Sequence, residues 1–166
     1  MLTEKLIQEI QEYIEFHLSM EVFSCQAPIE AEIYKESLQE ISGLDEFIQS
    51  HKKPSFRDVL FSYIDQSGAT DAAIYTKAGI DRRHFSKIRS RADYTPKKNT
   101  VIALALSLKL DIDNTDELLS SAGYSLSQSD EADLVIQYFI EKQNYNIHVI
   151  DEALYRFKGK TLVGAI

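Results

Sequence analysis

The stretch TDAAIYTKAGIDRRHFSKIRSRADYTPKKNTVIALALSLKLD, residues 70–111, decides how the rest of the chain is read. Thr70 is placed to cap a helix that carries Ala73, Ile74 and Ala78 inward, and Gly79 supplies the permissive backbone of a tight turn. Ile80 then plugs the angle between two helices. Asp81 caps the second helix, whose Phe85 and Ile88 fall three apart and share its buried side. Arg82, Arg83, Ser86 and Arg89 are left facing outward. A basic loop follows, and Thr95 precedes Pro96 as the N-cap of a long apolar helix with Ile102, Ala105, Leu106 and Leu110 packed inward. This is the element order of a helix-turn-helix.

Working outward, Ser55 or Pro54 starts a helix with Phe56, Val59, Leu60, Tyr63 and Ile64 as its inward set and Ser67-Gly68 as its stop. Beyond the core stretch, Asn114 to Ala122 reads as a helix capped by Asn114 or Asp113, with Leu118 and Leu119 buried and Gly123 as the stop. Ser129 caps the next pattern, where Leu134, Ile136, Tyr138, Phe139 and Ile140 are apolar around much of the circumference. Such a helix should be well covered. His148 to Phe157 forms a last helix, followed by the short tail GKTLVGAI.

At the other end, Leu6, Ile10, Tyr13 and His17 make one apolar stripe between Leu2 and Leu18. Residues 23–28 break that helix, and Ile29, Ile33, Ser37 and Ile41 repeat every four residues until Gly43 stops them. LDEFIQSH is one more short helical piece, ending before Lys52-Lys53-Pro54. The expected fold is all-α, a helix-turn-helix core over residues 51–124, with an acidic helical segment at 1–50 and a C-terminal helical extension at 125–166.

With 166 residues, 44% of them hydrophobic and 27% charged, the chain can bury one core without staples. Cys25 is the single cysteine and cannot form an internal disulfide. There is no leader pattern at the start and no apolar run near the length of a membrane span, so a cytoplasmic protein without membrane contact is expected. The net charge of −8 argues against a general polyanion binder. Its distribution argues differently. Residues 1–50 carry 2 basic and 11 acidic side chains, whereas residues 77–98 carry 8 basic against Asp81 and Asp93. The positive potential is thus held in one short window, at the second helix of the motif and the loop after it.

The same stretch resembles the lambda-repressor-like helix-turn-helix family, also called the Xre or Cro/C1 family. The likeness rests on Thr70, AGI at Ala78 to Ile80, an N-cap followed by basic residues, SKI at Ser86 to Ile88, and a helix after Pro96. The longer run from Phe56 to Gly159 is also similar to an uncharacterised bacterial domain family of this fold, through DRRHFSKIRS, ALALSLKLD, LLSSAGYSLS and YFIE. The resemblance implies a fold more firmly than a ligand. It implies that the N-terminal end of the third helix enters the major groove, with Arg82, Arg83 and Ser86 at base edges and Lys87, Arg89, Arg91, Lys97 and Lys98 at phosphates. The bland alternative is a solvated charged helix.

One departure bears on the ligand. The family often has glutamine after the threonine that opens its second helix, near the sugar-phosphate backbone, and this chain has Asp71. A carboxylate there repels phosphate. Either the approach to DNA is altered or the module meets a protein, for which Tyr75, Phe85 and Tyr94 are candidates. Duplex DNA is the leading partner, with RNA as an alternative. A homodimer or protein partner through residues 1–50 is a further expectation, and those acidic residues also admit packing on the core or imitation of a nucleic acid.

Other chemistry finds little support. His17, His51, His84 and His148 are scattered without acidic or thiol companions at metal-ligand spacing. Cys25 lacks a nucleophile signature, and Glu9, Glu12, Glu15, Glu36 and Glu40 lie on solvated helix faces. No phosphate-cradling glycine loop is present. No enzyme, metal or cofactor is expected, and transcriptional regulation through DNA binding leads over a protein-interaction adaptor or inhibitor on the same fold.

Overall fold

The computed structural model describes residues 43–163, which contain helices and no strand. The expected helices at Leu2–Leu18 and around Ile29–Ile41 lie outside those residues. Residues 43–51 are helical, as the sequence suggests for LDEFIQSH, and Gly43 lies within that helix; the pattern it is expected to stop is outside the described residues. The chain divides into two units at Lys52/Lys53. Seven helices then run through the second: α1 (Phe56–Ser67), α2 (Asp71–Lys77), α3 (Arg82–Ser90), α4 (Lys98–Ser107), α5 (Ile112–Ser121), α6 (Glu131–Glu141) and α7 (Ile147–Lys158). No described helix is long and apolar enough to cross a membrane.

Local chemistry accounts for most of the boundaries. Ser55 and Asp58 exchange hydrogen bonds in a capping box at α1, which holds the Asp58 carboxyl below its ordinary pKa. Thr70 caps α2 through the Ala73 N–H, and Asp81 caps α3 through the Arg83 N–H at 2.6 Å. Elsewhere the caps shift. Pro96 is buried outside α4, its carbonyl accepting from the Tyr124 hydroxyl at 3.1 Å, so Lys97 and not Thr95 occupies the N-cap position. Asp111 caps α5 in place of Asn114 or Asp113, Asp130 caps α6 in place of Ser129, and Asn146 starts α7 at Ile147.

Helix α4 lies at the centre, with α2 and α5 packed on it, while α5 also touches α1 and α6. The five-helix arrangement and the C-terminal pair share one apolar core, which runs from Phe56 and Leu60 through Leu104 and Leu118 to Ile136, Ile150 and Leu162. The inward sets of α1, α3 and α5 are as the spacing requires. Ala73 is not; it is exposed, because one residue before Ile74 turns it about 100° away from the buried stripe. Helix α6 also departs from expectation. Ile136 and Ile140 are buried, but Leu134 and Tyr138 are 40% and 58% exposed, on a side of the helix turned away from the packing against α5 and α7. The short connection after Glu141 makes α7 an antiparallel neighbour, and Lys158 Nζ comes within 3.7 Å of Asp130 at the far end.

Tyr63 ties α1 to α5. Its hydroxyl donates to the Glu117 carboxylate and lies 3.0 Å from Asn114 Oδ1. Burial first, then the Glu117 bond and charge, push the hydroxyl up to about 12 from its ordinary 10.0. A raised folded value means the contribution to stability is complete below pH 10 and is lost as pH rises towards about 12. Tyr63→Phe is expected to cost about 0.5–1 kcal/mol at neutral pH, the modest figure reflecting a solvated pair. Urea melts should also show a shallower alkaline loss in the variant than in the parent.

Candidate nucleic-acid interface

Helix α3 is held from behind. Phe85, 3% exposed, packs between Phe61 of α1, with ring centroids 6.0 Å apart, and Tyr75 of α2, at 5.6 Å. Ile88 is fully buried on the same side. The turn before α3 is equally determined. Gly79 takes φ +64°, its N–H donating to the Thr76 carbonyl at 3.1 Å while the Ile80 N–H reaches the Tyr75 carbonyl at 2.8 Å. Position 79 has a second constraint, absent from any local pattern. A Cβ built there would lie 2.8 Å from a methyl group of Val163, which follows α7.

The rotation fixed by Phe85 and Ile88 leaves Arg83, Ser86 and Lys87 exposed on the far side and Arg82 and Arg89 exposed at the flanks of the buried stripe. Lys87 Nζ stands 4.0 Å over the Tyr94 ring, and the Tyr94 hydroxyl lies 3.1 Å from His84 Nε2. These contacts hold the basic loop with exposed Arg91 and Lys97 beside α3. Arg82 and Arg83 make no ion pair with a described residue, and neither do Lys87, Arg91 or Lys97.

Two of the sequence-derived candidates have other partners. Arg89 Nη2 lies 2.7 and 2.6 Å from the two Asp71 carboxylate oxygens, and its guanidinium sits 4.3 Å over Phe61. Asp71 is therefore already neutralised locally. Lys98 Nζ lies 2.5 Å from Asp133, a carboxylate only 5% exposed that also accepts from the Ser127 N–H at 2.7 Å. That cation is directed to the α4–α6 junction. The aromatic trio considered for a protein contact is likewise turned inward: Phe85 is buried, and Tyr75 and Tyr94 are half-buried against the core.

Residue spacing misses Arg57, which lies outside the basic window yet lines a recess of about 210 Å³ with Asp58, Phe61, Asp65 and Arg89. Its Nε is buried without a hydrogen-bond partner. Only the packing of α1 beside α3 brings the two guanidinium groups to one recess. Among the described residues, no group of three or more His, Cys, Asp or Glu is placed to hold a metal ion. Set against protein-family models, curated proteins and solved structures, the chain matches none.

Two substitutions test how this surface is supported. Gly79→Ala should lower stability by about 1–2 kcal/mol from the left-handed backbone alone, with a further loss from the Val163 contact, and thermal melting reads the sum. Lys98→Met should cost about 1–3 kcal/mol because Asp133 stays buried with one donor, whereas Lys97→Ala should change stability by less than about 0.5 kcal/mol. Equal losses in chemical denaturation would contradict the division of roles between these neighbours.

Proposed function

We propose that this chain is a DNA-binding helix-turn-helix protein that regulates transcription. The observation that carries the reading is the outward first turn of α3. Arg82 and Arg83 project there beside Ser86, on a helix whose buried side is fixed by Phe85 and Ile88. An arginine fork in a major groove takes two bonds from guanine, which suits these residues to base edges. Lys87, Arg91 and Lys97 surround them as phosphate contacts, and the likeness of residues 70–111 to lambda-repressor-like proteins supports the same docking.

The rival is a protein-interaction adaptor, favoured by the net charge of −8. Against it, the basic face offers few apolar anchors of the kind that dominate protein interfaces, because Tyr75, Phe85 and Tyr94 are taken up by packing. Nucleic acid is the better match. Asp71 moderates that match without abolishing it, since its charge is directed to Arg89.

Binding to duplex DNA over a salt series tests the proposal. With Lys87, Arg91 and Lys97 at phosphates, log K should fall with log salt at a slope of roughly −3 per protomer. Asp71→Gln should tighten binding and steepen the slope by about one unit, as Arg89 is released to the backbone. Arg82→Ala or Arg83→Ala should cost about 1–3 kcal/mol on a preferred site and relax sequence preference, whereas Lys97→Ala should weaken all sequences alike. Absence of duplex binding even at low salt overturns the reading in favour of a protein partner.

A further inference from the structure

We propose that the exposed face of α6 and α7 is where a second copy of this chain docks, with the two α6 helices antiparallel across a two-fold axis. The face is apolar at its centre. Leu134 and Tyr138 of α6 and Phe157 of α7, 62% exposed, border a groove of about 480 Å³ floored by Val135, Phe139 and Ala153. Large aromatic side chains in that state are the usual anchors of protein interfaces.

The choice of occupant rests on the order of charges along α6. Glu131, Leu134, Tyr138 and Lys142 follow steps of three or four residues and so share one side of the helix. The order is acid, apolar, apolar, base. Reversed about a midpoint between Ile136 and Gln137, it becomes its own complement: Leu134 meets Phe139 of the partner subunit, Val135 meets Tyr138 of the partner subunit, and Glu131 meets Lys142 of the partner subunit. A parallel arrangement would set like charge against like. Both ends have capacity for the contact, because among the described residues Lys142 Nζ has only the Tyr138 ring at 5.8 Å and Glu131 only Lys158 at 3.8 Å as charge contacts. A surface that is complementary to itself under a two-fold is what an isologous dimer requires. The inference stands on α6 and α7 and is independent of what α3 binds.

Sedimentation equilibrium of the full chain over a range of concentrations tests it, with circular dichroism as a check on folding. The parent should be dimeric, and Tyr138→Glu should raise the dimer dissociation constant about tenfold or more. Glu131→Lys and Lys142→Glu should each weaken the dimer about tenfold by placing like charges together. The double variant Glu131→Lys/Lys142→Glu should return close to parental affinity, since the reversed pattern is again self-complementary. If Tyr138→Glu lowers helicity, the two exposed charge reversals and their combination decide alone. A chain that stays monomeric overturns the proposal, as it would if another segment or protein covered this face. So does a dimer indifferent to charge reversal, which would use another surface, or a double variant that fails to recover.

Discussion

The burial of α4 from Val101 to Ser107 is the constraint on which the described helices of the second unit depend. Seven consecutive residues, Val101 to Ser107, are buried, and a helix turn contains only 3.6, so every direction around that axis is covered. Its one polar side chain in that run, Ser107, donates to the Leu104 carbonyl at 2.8 Å and leaves no unpaired hydroxyl. Such a helix has no solvent face of its own and is stable only when others surround it. The surrounding helices need to contribute one stripe each, and their outer faces are left to other uses. In α3 the division is sharpest. Phe85 and Ile88 serve the core, and almost everything else on the helix is basic or polar.

Burial also divides the basic window into side chains with different energetic roles. The Arg89–Asp71 pair is well exposed, with side chains 52% and 36% accessible, so its contribution to stability is on the order of 1 kcal/mol or less. Its larger effect is on the field, because one carboxylate and one cation cancel at the edge of α3. The Lys98–Asp133 pair has the opposite character. Asp133 is nearly enclosed, and removing either partner leaves a charge without compensation. This pair fixes the start of α6 against the start of α4, while the Ser127 N–H fixes the loop between α5 and α6.

What could be read from the residues follows the range of the interactions concerned. The stripes Phe56, Leu60, Ile64 and Phe85, Ile88, and the left-handed glycines Gly68, Gly79 and Gly123, are local signals and are legible as such. Two helix ends lack that signal: Lys109 and Gln143 take φ +55° and +54° after α4 and α6, with the same closing hydrogen bonds that glycine makes after α2. The bonds at those ends, with Leu110 buried beyond the first, hold a conformation the residue type does not favour. The pairing of Arg89 with Asp71 spans 18 residues and that of Lys98 with Asp133 spans 35, distances at which charge spacing carries no information. Likewise, the apolar circumference of α6 predicted cover that its neighbours do not supply, because period alone says which side is apolar and not what lies against it.

The segment after α7 shows how the C-terminal helices bear on the turn before α3. Leu162 is buried, and its N–H donates to Asp151 of α7 at 2.6 Å, which fixes the backbone as it leaves the helix. Val163 is thereby set against Gly79, close enough that any side chain at 79 would meet it. The turn therefore has two independent reasons to be glycine, one from its own φ and one from a residue 84 positions later in the chain. Because α7 is packed along α6, the positions of these two helices and of the α2–α3 turn are mutually determined through a few atoms at Asp151, Leu162 and Val163. A displacement of α7 cannot be absorbed at Gly79 by local rotation, since the adjoining N–H groups are already bonded to the end of α2. The C-terminal extension thus bears on the turn that leads into α3, while Phe61 of α1 packs against α3 through Phe85.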